Sequence, residues 1–333
     1  MVKRIAATAG SILFVTQIAA APGMAAARQT IKCGATVTGS VTLKADLVCA
    51  SGHGLVVGNG ATLDCAGHRI SGGNQLGQYG IYVRDGSNAV VRNCVAQRFE
   101  VGIRVRNAMQ ATVTNSVAQG NLRYGMEVTQ GSTAVLIQGN TIADNGDEGI
   151  HVSGPDGHDA QHQILDNTLD GNENEGIYLL NSNGSLIDGN TIRDHSAAGI
   201  YVKGSDRNTI SGNTLINDPL QLVYESQQNV LTDNAIVGQA IKFNQASNNQ
   251  VYRMSIQASG GRPSVAYDFT NSSGNRIVDS QALNPVDYGI RAKSNSTNNA
   301  FTRFSVLPSL RCSVDAGSSV SVTNDRGAGL ACR

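Results

Sequence analysis

A four-residue pattern recurs through most of the chain: a glycine, an apolar residue, a variable residue and a second apolar residue. It reads GLVV from Gly54, GIYV from Gly80, GIRV from Gly102, GMEV from Gly125, GIHV from Gly149, GIYL from Gly176, GIYV from Gly199 and GIRA from Gly289. Degenerate copies, QLVY from Gln221, AIKF from Ala240 and AYDF from Ala266, fill the remaining interval, and the usual spacing is 22 to 27 residues. Alternation over so few positions predicts a short strand with one face buried.

A second signature sits inside each period: VRNC from Val91, VTNS from Val113, IQGN from Ile137, IDGN from Ile187, ISGN from Ile210 and LTDN from Leu231. A third often follows, as in NTIADN, NTLDGN and NTIRDH. Three short strands per period, joined by polar turns and lacking helical periodicity, describe one rung of a parallel β-helix. One rung cannot bury its own apolar face, whereas stacked rungs bury a continuous core, with turn asparagines bonding the backbone of their neighbours. A leucine-rich repeat would need regular leucine spacing and a helical segment, and neither is present. The pattern predicts an all-β, single-stranded parallel β-helix of about 10–12 rungs over residues 28–304. The segment 305–333 departs from the pattern and is expected to cap the coil, whose last sheet edge would otherwise lie open.

Residues 1–27 carry Lys3 and Arg4, a mostly apolar run and Ala25-Ala26-Ala27, the form of a cleaved signal peptide. The expectation is a secreted or periplasmic protein with no membrane span after cleavage. Export permits disulfides. The six cysteines fall near the ends of the mature chain, and among the 15 possible pairings one joins 33 with 49, 65 with 94 and 312 with 332.

Basic and acidic residues number 25 each, with no basic stripe or tail, which speaks against nucleic acid as a partner. Tryptophan is absent and aromatics make up 5% of the chain, so a sugar site is expected to be polar rather than built on stacking platforms.

The variable residue of each G-I-x-V copy faces outward, because side chains alternate across a strand. Down successive rungs this column reads Tyr82, Arg104, Glu127, His151, Tyr178, Tyr201, Val223, Lys242, Asp268 and Arg291. Strands stack about 4.8 Å apart, so Arg104 to Tyr201 line roughly 20 Å of one face. The interval from Gly149 to Gly176 is the longest among the regular copies, and its excess falls in SGPDGHDAQHQ, just after His151. A surface loop there would bring Asp156, His158 and Asp159 beside the His151 rung.

These residue types suit proton transfer at C5 of a uronic acid. His151 or His158 would be the base, Tyr178 or Tyr201 the acid, and Arg104, Glu127 and Lys242 would bind substrate. The partner would be an acidic polysaccharide or oligosaccharide. Epimerisation and lyase cleavage share this first step. Two alternatives stand beside it: a non-catalytic glycan-binding or scaffold coil, and a glycoside hydrolase with paired carboxylates, Asp156 with Asp159 or Glu127 with Asp156. No cofactor is required, although Asp144, Asp147, Asp156 and Asp159 could hold calcium.

Residues 54–292 resemble the pectin-lyase-like superfamily of right-handed parallel β-helices, including its periplasmic carbohydrate-binding and sugar-hydrolase-type repeats. One stretch is similar to the mannuronan C5-epimerases, which carry Asp-Pro-His-Asp, an Asn-Thr strand and a His-Gly-Ile strand. Here these are Asp156-Gly157-His158-Asp159, Asn167-Thr168 and Glu175-Gly176-Ile177. The resemblance implies a catalytic His158 oriented by Asp156 and Asp159. Gly157 replaces the proline, Glu175 stands where that family has histidine, and the arginine that would neutralise a uronate carboxylate has no counterpart.

Overall fold

The computed structural model describes residues 31–154, 159–261, 265–284, 287–307, 311–323 and Cys332. Lys32 to the C-terminus forms one compact unit. The signal-peptide expectation, with Asp156 and His158, lies outside the described residues.

Each period of the sequence is one coil of three short strands, and coil stacks on coil with every strand pair parallel. The first sheet runs through 13 strands from Ala35–Val37 to Cys312–Val314, the second through 13 from Ser40–Thr42 to Val320–Thr323, and the third through 12 from Leu47–Val48 to Ser305–Leu307. Among the described residues, the segment expected to cap the coil continues its three sheets. Strands Ser305–Leu307, Cys312–Val314 and Val320–Thr323 extend all three sheets, because their short alternating segments still satisfy the coil without the glycine signature.

Like residues stack on like. Ile150 pairs with Ile177 and Val152 with Leu179 on the first sheet, and Ile164 with Ile187 on the second, all fully buried. The repeated glycine is a matter of close approach. A Cβ on Gly149 would stand 2.7 Å from the Gly176 carbonyl oxygen, and one on Gly176 would stand 2.6 Å from that of Gly199. These corners leave no room for a side chain.

The turns carry the buried polar residues. At the corner between the second and third sheets, the backbone N–H of Asn140, Asn167 and Asn190 each donates to the side-chain oxygen of Asn167, Asn190 and Asn213 at 2.9 Å. Each side-chain amide also donates along the column, Asn190 to Asn213 at 2.9 Å. The Cys65–Cys94 disulfide occupies the N-terminal end of the same column, where the N–H of Cys94 donates to Ser116. A second column joins Asn121, Asn145, Asn172, His195 and Asp218, with His195 Nδ1 2.7 Å from Asp218. These ladders satisfy backbone groups that burial would otherwise leave orphaned. The other two disulfides join Cys33 to Cys49 and Cys312 to Cys332, so all three follow the expected pairing.

Candidate functional site

The register of the first sheet fixes the outward column. Tyr82, Arg104, Glu127, His151, Tyr178 and Tyr201 follow one another as expected. The next member is Gln221 rather than Val223, and Lys242, Asp268 and Arg291 come after it. Leu220 and Leu222 point inward in place of the usual pair, and Val223 pairs with Lys203 and Asn244 and is buried. The QLVY copy lacks the glycine that marks the frame elsewhere, and a two-residue shift keeps the apolar alternation.

A second column flanks the first. It consists of the residues two before each inward isoleucine or its equivalent, which from the third coil run Tyr79, Val101, Tyr124, Glu148 and Glu175. The two columns meet at His151, whose ring stacks on Tyr124 with centroids 4.6 Å apart and an interplanar angle of 19°. His151 also lies 5.2 Å from the ring of Tyr178, which in turn lies 5.4 Å from Tyr201. Four rings thus form a continuous ladder. Aromatic residues are few, but the fold gathers these four on one face.

Carboxylates surround the ladder. Glu148 Oε1 lies 3.5 Å from His151 Nδ1. Glu127 Oε2 lies 2.8 Å from Arg104 Nε, and Arg104 also donates to the Tyr79 hydroxyl and stacks over that ring. Arg123 is within 3.4 Å of Glu100 and 3.8 Å of Asp147, and covers Tyr124. Seven buried side-chain polar atoms among the described residues lack an aligned hydrogen bond, and four of them belong here: Arg104 Nε, Glu127 Oε2, Glu148 Oε2 and His151 Nδ1. Arg104 Nε and Glu127 Oε2 are each other's ion-pair partners and His151 Nδ1 faces Glu148, so these atoms are paired by charge rather than by aligned hydrogen bonds.

Burial and neighbouring charge separate the acids. Burial pushes the Glu175 carboxyl up to about 7, helped by Glu148 and Asp147. Burial also raises Glu127 against the pull of Arg104. Burial works in the same direction on Glu148, but contact with His151 outweighs it and holds that carboxyl below its ordinary value. The Tyr178 phenol, desolvated and beside Tyr201 and Glu148, is pushed up to about 12. One carboxyl raised towards neutral pH beside another held low, flanked by an imidazole, is an arrangement suited to acid–base chemistry.

Other expected members lie elsewhere. Asp159 pairs with Asn183 in the turn beyond the first sheet and binds Arg207 Nη2 at 2.6 Å, so its carboxylate serves that turn. Lys242 is in the column but four coils from His151, beside the Asp268–Arg291 ion pair, and burial lowers its pKa. Asp144 is exposed, and no group of three or more His, Cys, Asp or Glu among the described residues is placed to hold a metal ion.

Glu148 and Glu175 were not expected as partners. Their signal was a second repeat inside the first, Glu-Gly-Ile at 148–150 and again at 175–177.

The sequence matches the family described as right handed beta helix region over residues 29–158 and 157–325. The chain belongs to the right-handed β-helix family. This β-helix is similar to the catalytic unit of a GH87 α-1,3-glucanase from Streptomyces thermodiastaticus, with a TM-score of 0.60 and 14% identity over 90% of this chain and 62% of that one. It is also similar to a GH87 α-1,3-glucanase catalytic domain in complex with nigerose, with a TM-score of 0.54 and 15% identity over 89% of this chain and 64% of the other. The A-module of an Azotobacter vinelandii mannuronan C-5 epimerase gives a TM-score of 0.47 and 16% identity over 90% and 80% of the two chains. No curated protein matches the sequence. The β-helix spans under two thirds of the two glucanase structures, and the likeness is one of fold.

Proposed function

We propose that this β-helix is an exported glycan-processing enzyme in which the Glu148–His151 pair abstracts a proton from an acidic sugar bound along the first sheet. The observation that carries this reading is the contact of Glu148 and His151 on one coil with Tyr178 on the next, on one face of the first sheet. Glu148 faces Nδ1 and favours a proton there, which leaves Nε2 as the basic atom. Nε2 has no protein partner among the described residues, so it is free to meet substrate.

The α-proton of a uronate becomes acidic enough to remove only when its carboxylate is neutralised. The nearby guanidiniums of Arg104 and Arg123 are already paired with acids. Protonated Glu175 supplies the alternative, since a carboxylic acid can share its proton with a substrate carboxylate. Tyr178 keeps its proton at neutral pH and is positioned to return one to the sugar or to the departing oxygen. Return to the opposite face of C5 gives epimerisation, and loss of the C4 oxygen gives cleavage.

A second reading rests on the separation of the Glu148 and Glu175 carboxyls in protonation state. On adjacent coils, about 4.8 Å apart at the backbone, they could act as base or nucleophile and acid in hydrolysis of a glycosidic bond. Glycan digestion separates the two. An unsaturated sugar or an inverted C5 supports proton abstraction, whereas saturated fragments with new reducing ends support hydrolysis.

Three disulfides fit an oxidising compartment, the periplasm or the exterior. Among the described residues no helix is long and apolar enough to cross a membrane.

A further inference from the structure

Many arginines of this β-helix pair with a carboxylate on a neighbouring coil. Arg92 meets Asp64, Arg193 meets Asp170, Arg253 meets Asp233, Arg291 meets Asp268 and Arg303 meets Asp279, each at 2.5 to 3.0 Å. Among the described residues several other arginines lack a carboxylate partner, Arg69, Arg98 and Arg276 among them, but Arg84 and Arg106 differ from these in lying side by side. They are direct register partners on adjacent coils of the first sheet, like charge beside like charge, and both are exposed. Arg84 Nε has only its chain neighbour Asp85, at 3.9 Å, and Asp85 is also bonded to the Asn107 side chain. Arg106 has no carboxylate within ion-pair distance among the described residues, and its Nε donates to Gln130. Like charges placed opposite one another across strands are destabilising.

Both guanidiniums are held in place by one tyrosine. Arg84 lies over the Tyr82 ring at 5.6 Å, and Arg106 Nη1 donates to the Tyr82 hydroxyl at 3.3 Å. Tyr82 is buried beneath His53 and Tyr79, whose rings stack 4.8 Å apart and present a half-buried aromatic surface beside the arginines. His53 Nδ1 accepts the Tyr79 backbone N–H, which fixes the imidazole in the plane of that stack. A pair of rigid forks beside an aromatic surface fits an anionic substituent on a sugar ring, the forks taking the oxygens and the rings the apolar face.

We propose that Arg84 and Arg106, with His53, Tyr79 and Tyr82, form a second glycan subsite that takes the carboxylate of an acidic sugar unit in the same chain that reaches His151. It rests on the reading of the first sheet as a glycan groove. Arg106 is two coils and Arg84 three coils from His151, about 10 to 14 Å along the axis. The subsite anchors the polymer away from the acid-rich reaction centre and sets the shortest oligosaccharide that binds well.

The test is calorimetric titration of the His151→Ala protein, which separates binding from turnover. The probes are acidic oligosaccharides of increasing length, their carboxyl-reduced counterparts, and inorganic sulfate. The subsite predicts that affinity for the acidic oligosaccharides steps up once they are long enough to reach Arg106. The Arg84→Ala/Arg106→Ala double variant would then lose about tenfold or more in affinity, with a shallower salt dependence. Arg84→Lys/Arg106→Lys would retain part of the affinity, and reduced oligosaccharides would bind weakly to every variant. Equal affinity in the wild-type and double-alanine backgrounds overturns the proposal, as does no binding of any acidic oligosaccharide. Sulfate binding as tight as the longest oligosaccharide would reduce the site to a simple anion site and overturn its role in glycan recognition. Length-dependent binding without turnover in the His151 protein with its native histidine would instead remove the catalytic reading and leave the subsite standing.

Discussion

The Nδ1 atom of His151 lies 3.5 Å from Oε1 of Glu148, with the two side chains only 13% and 8% exposed. Only Gly149 and Ile150 lie between them in the chain, and the glycine turns the corner that sets one against the other. A buried carboxylate facing one ring nitrogen fixes the tautomer and leaves the other nitrogen as the acceptor, and that asymmetry is the physical basis of the proposed base.

Removing either member should therefore affect turnover far more than binding. His151→Ala and Glu148→Gln are each expected to lower kcat by about a hundredfold to ten-thousandfold, the span of general-base catalysis, with KM nearly unchanged. Steady-state kinetics on the preferred glycan would show this split. A loss confined to KM would assign both residues to binding.

The Glu175 carboxyl, raised to about 7, sets a pH limit on both activity and stability. Activity that needs its proton should fall as pH rises through about 7. For stability, the unfolded carboxyl ionises near the ordinary value of about 4.3, so the folded state binds the extra proton between these values. Its contribution is fully present below the unfolded pKa and is lost as pH rises towards 7. Denaturant titrations across this range should show declining stability in the native protein and a flatter profile in Glu175→Gln.

His162 occupies the corner between the first and second sheets. Its Nδ1 accepts the Val135 N–H at 3.2 Å, its own N–H donates to Ser185, and the next coil places Asn208 in that column. Its Nε2 is buried without a partner, and burial holds its pKa down to about 4. The folded pKa is depressed below about 6.5, so its contribution is complete above 6.5 and lost as pH falls towards 4, on the order of 3 kcal/mol in all. His162→Asn should continue the ladder and remove this loss. Unfolding free energies at pH 7 and pH 4.5 should differ less in the variant than in the native protein.

The asparagine ladder should be costly to interrupt. Asn190 accepts from the backbone and side chain of Asn167 and donates to Ile164 and Asn213, all between 2.9 and 3.0 Å. Asn190→Ala strands several buried groups at once and is expected to cost about 3 kcal/mol. Asn217 is exposed, its side chain reaches Asp194 and its backbone is left-handed at φ 63°, so the same change there should cost only about 1 kcal/mol, from backbone strain rather than stranded buried groups. Urea unfolding of the two variants makes the comparison.

Most of the coil was legible because its period is physical. Each coil must offer an inward apolar residue at the same place, and the corner glycine marks that place in the sequence. The frame slipped at Val223, where that glycine is missing and the alternation alone admits two registers. The outward column gave His151, Tyr178, Arg104 and Glu127, since register converts a sequence position directly into a neighbour. It did not give Tyr124 or Glu148, which precede their strands, nor Glu175, which opens its strand at a position the alternation rule assigns to the inward face with Ile177. Asp159 and His162 lie in the same polar stretch as His158, yet the fold sends one to Arg207 and the other into a buried ladder. Composition could not distinguish those fates, since both depend on partners a full coil away.

The most direct measurement is incubation of the purified protein with a panel of uronate-containing polysaccharides, following the ultraviolet absorbance of an unsaturated product and the C5 configuration by proton NMR. The proton-abstraction account predicts one of these signals, lost in His151→Ala and in Glu148→Gln. Saturated fragments with new reducing ends and neither signal, dependent on Glu148 and Glu175 but not on His151, would contradict it.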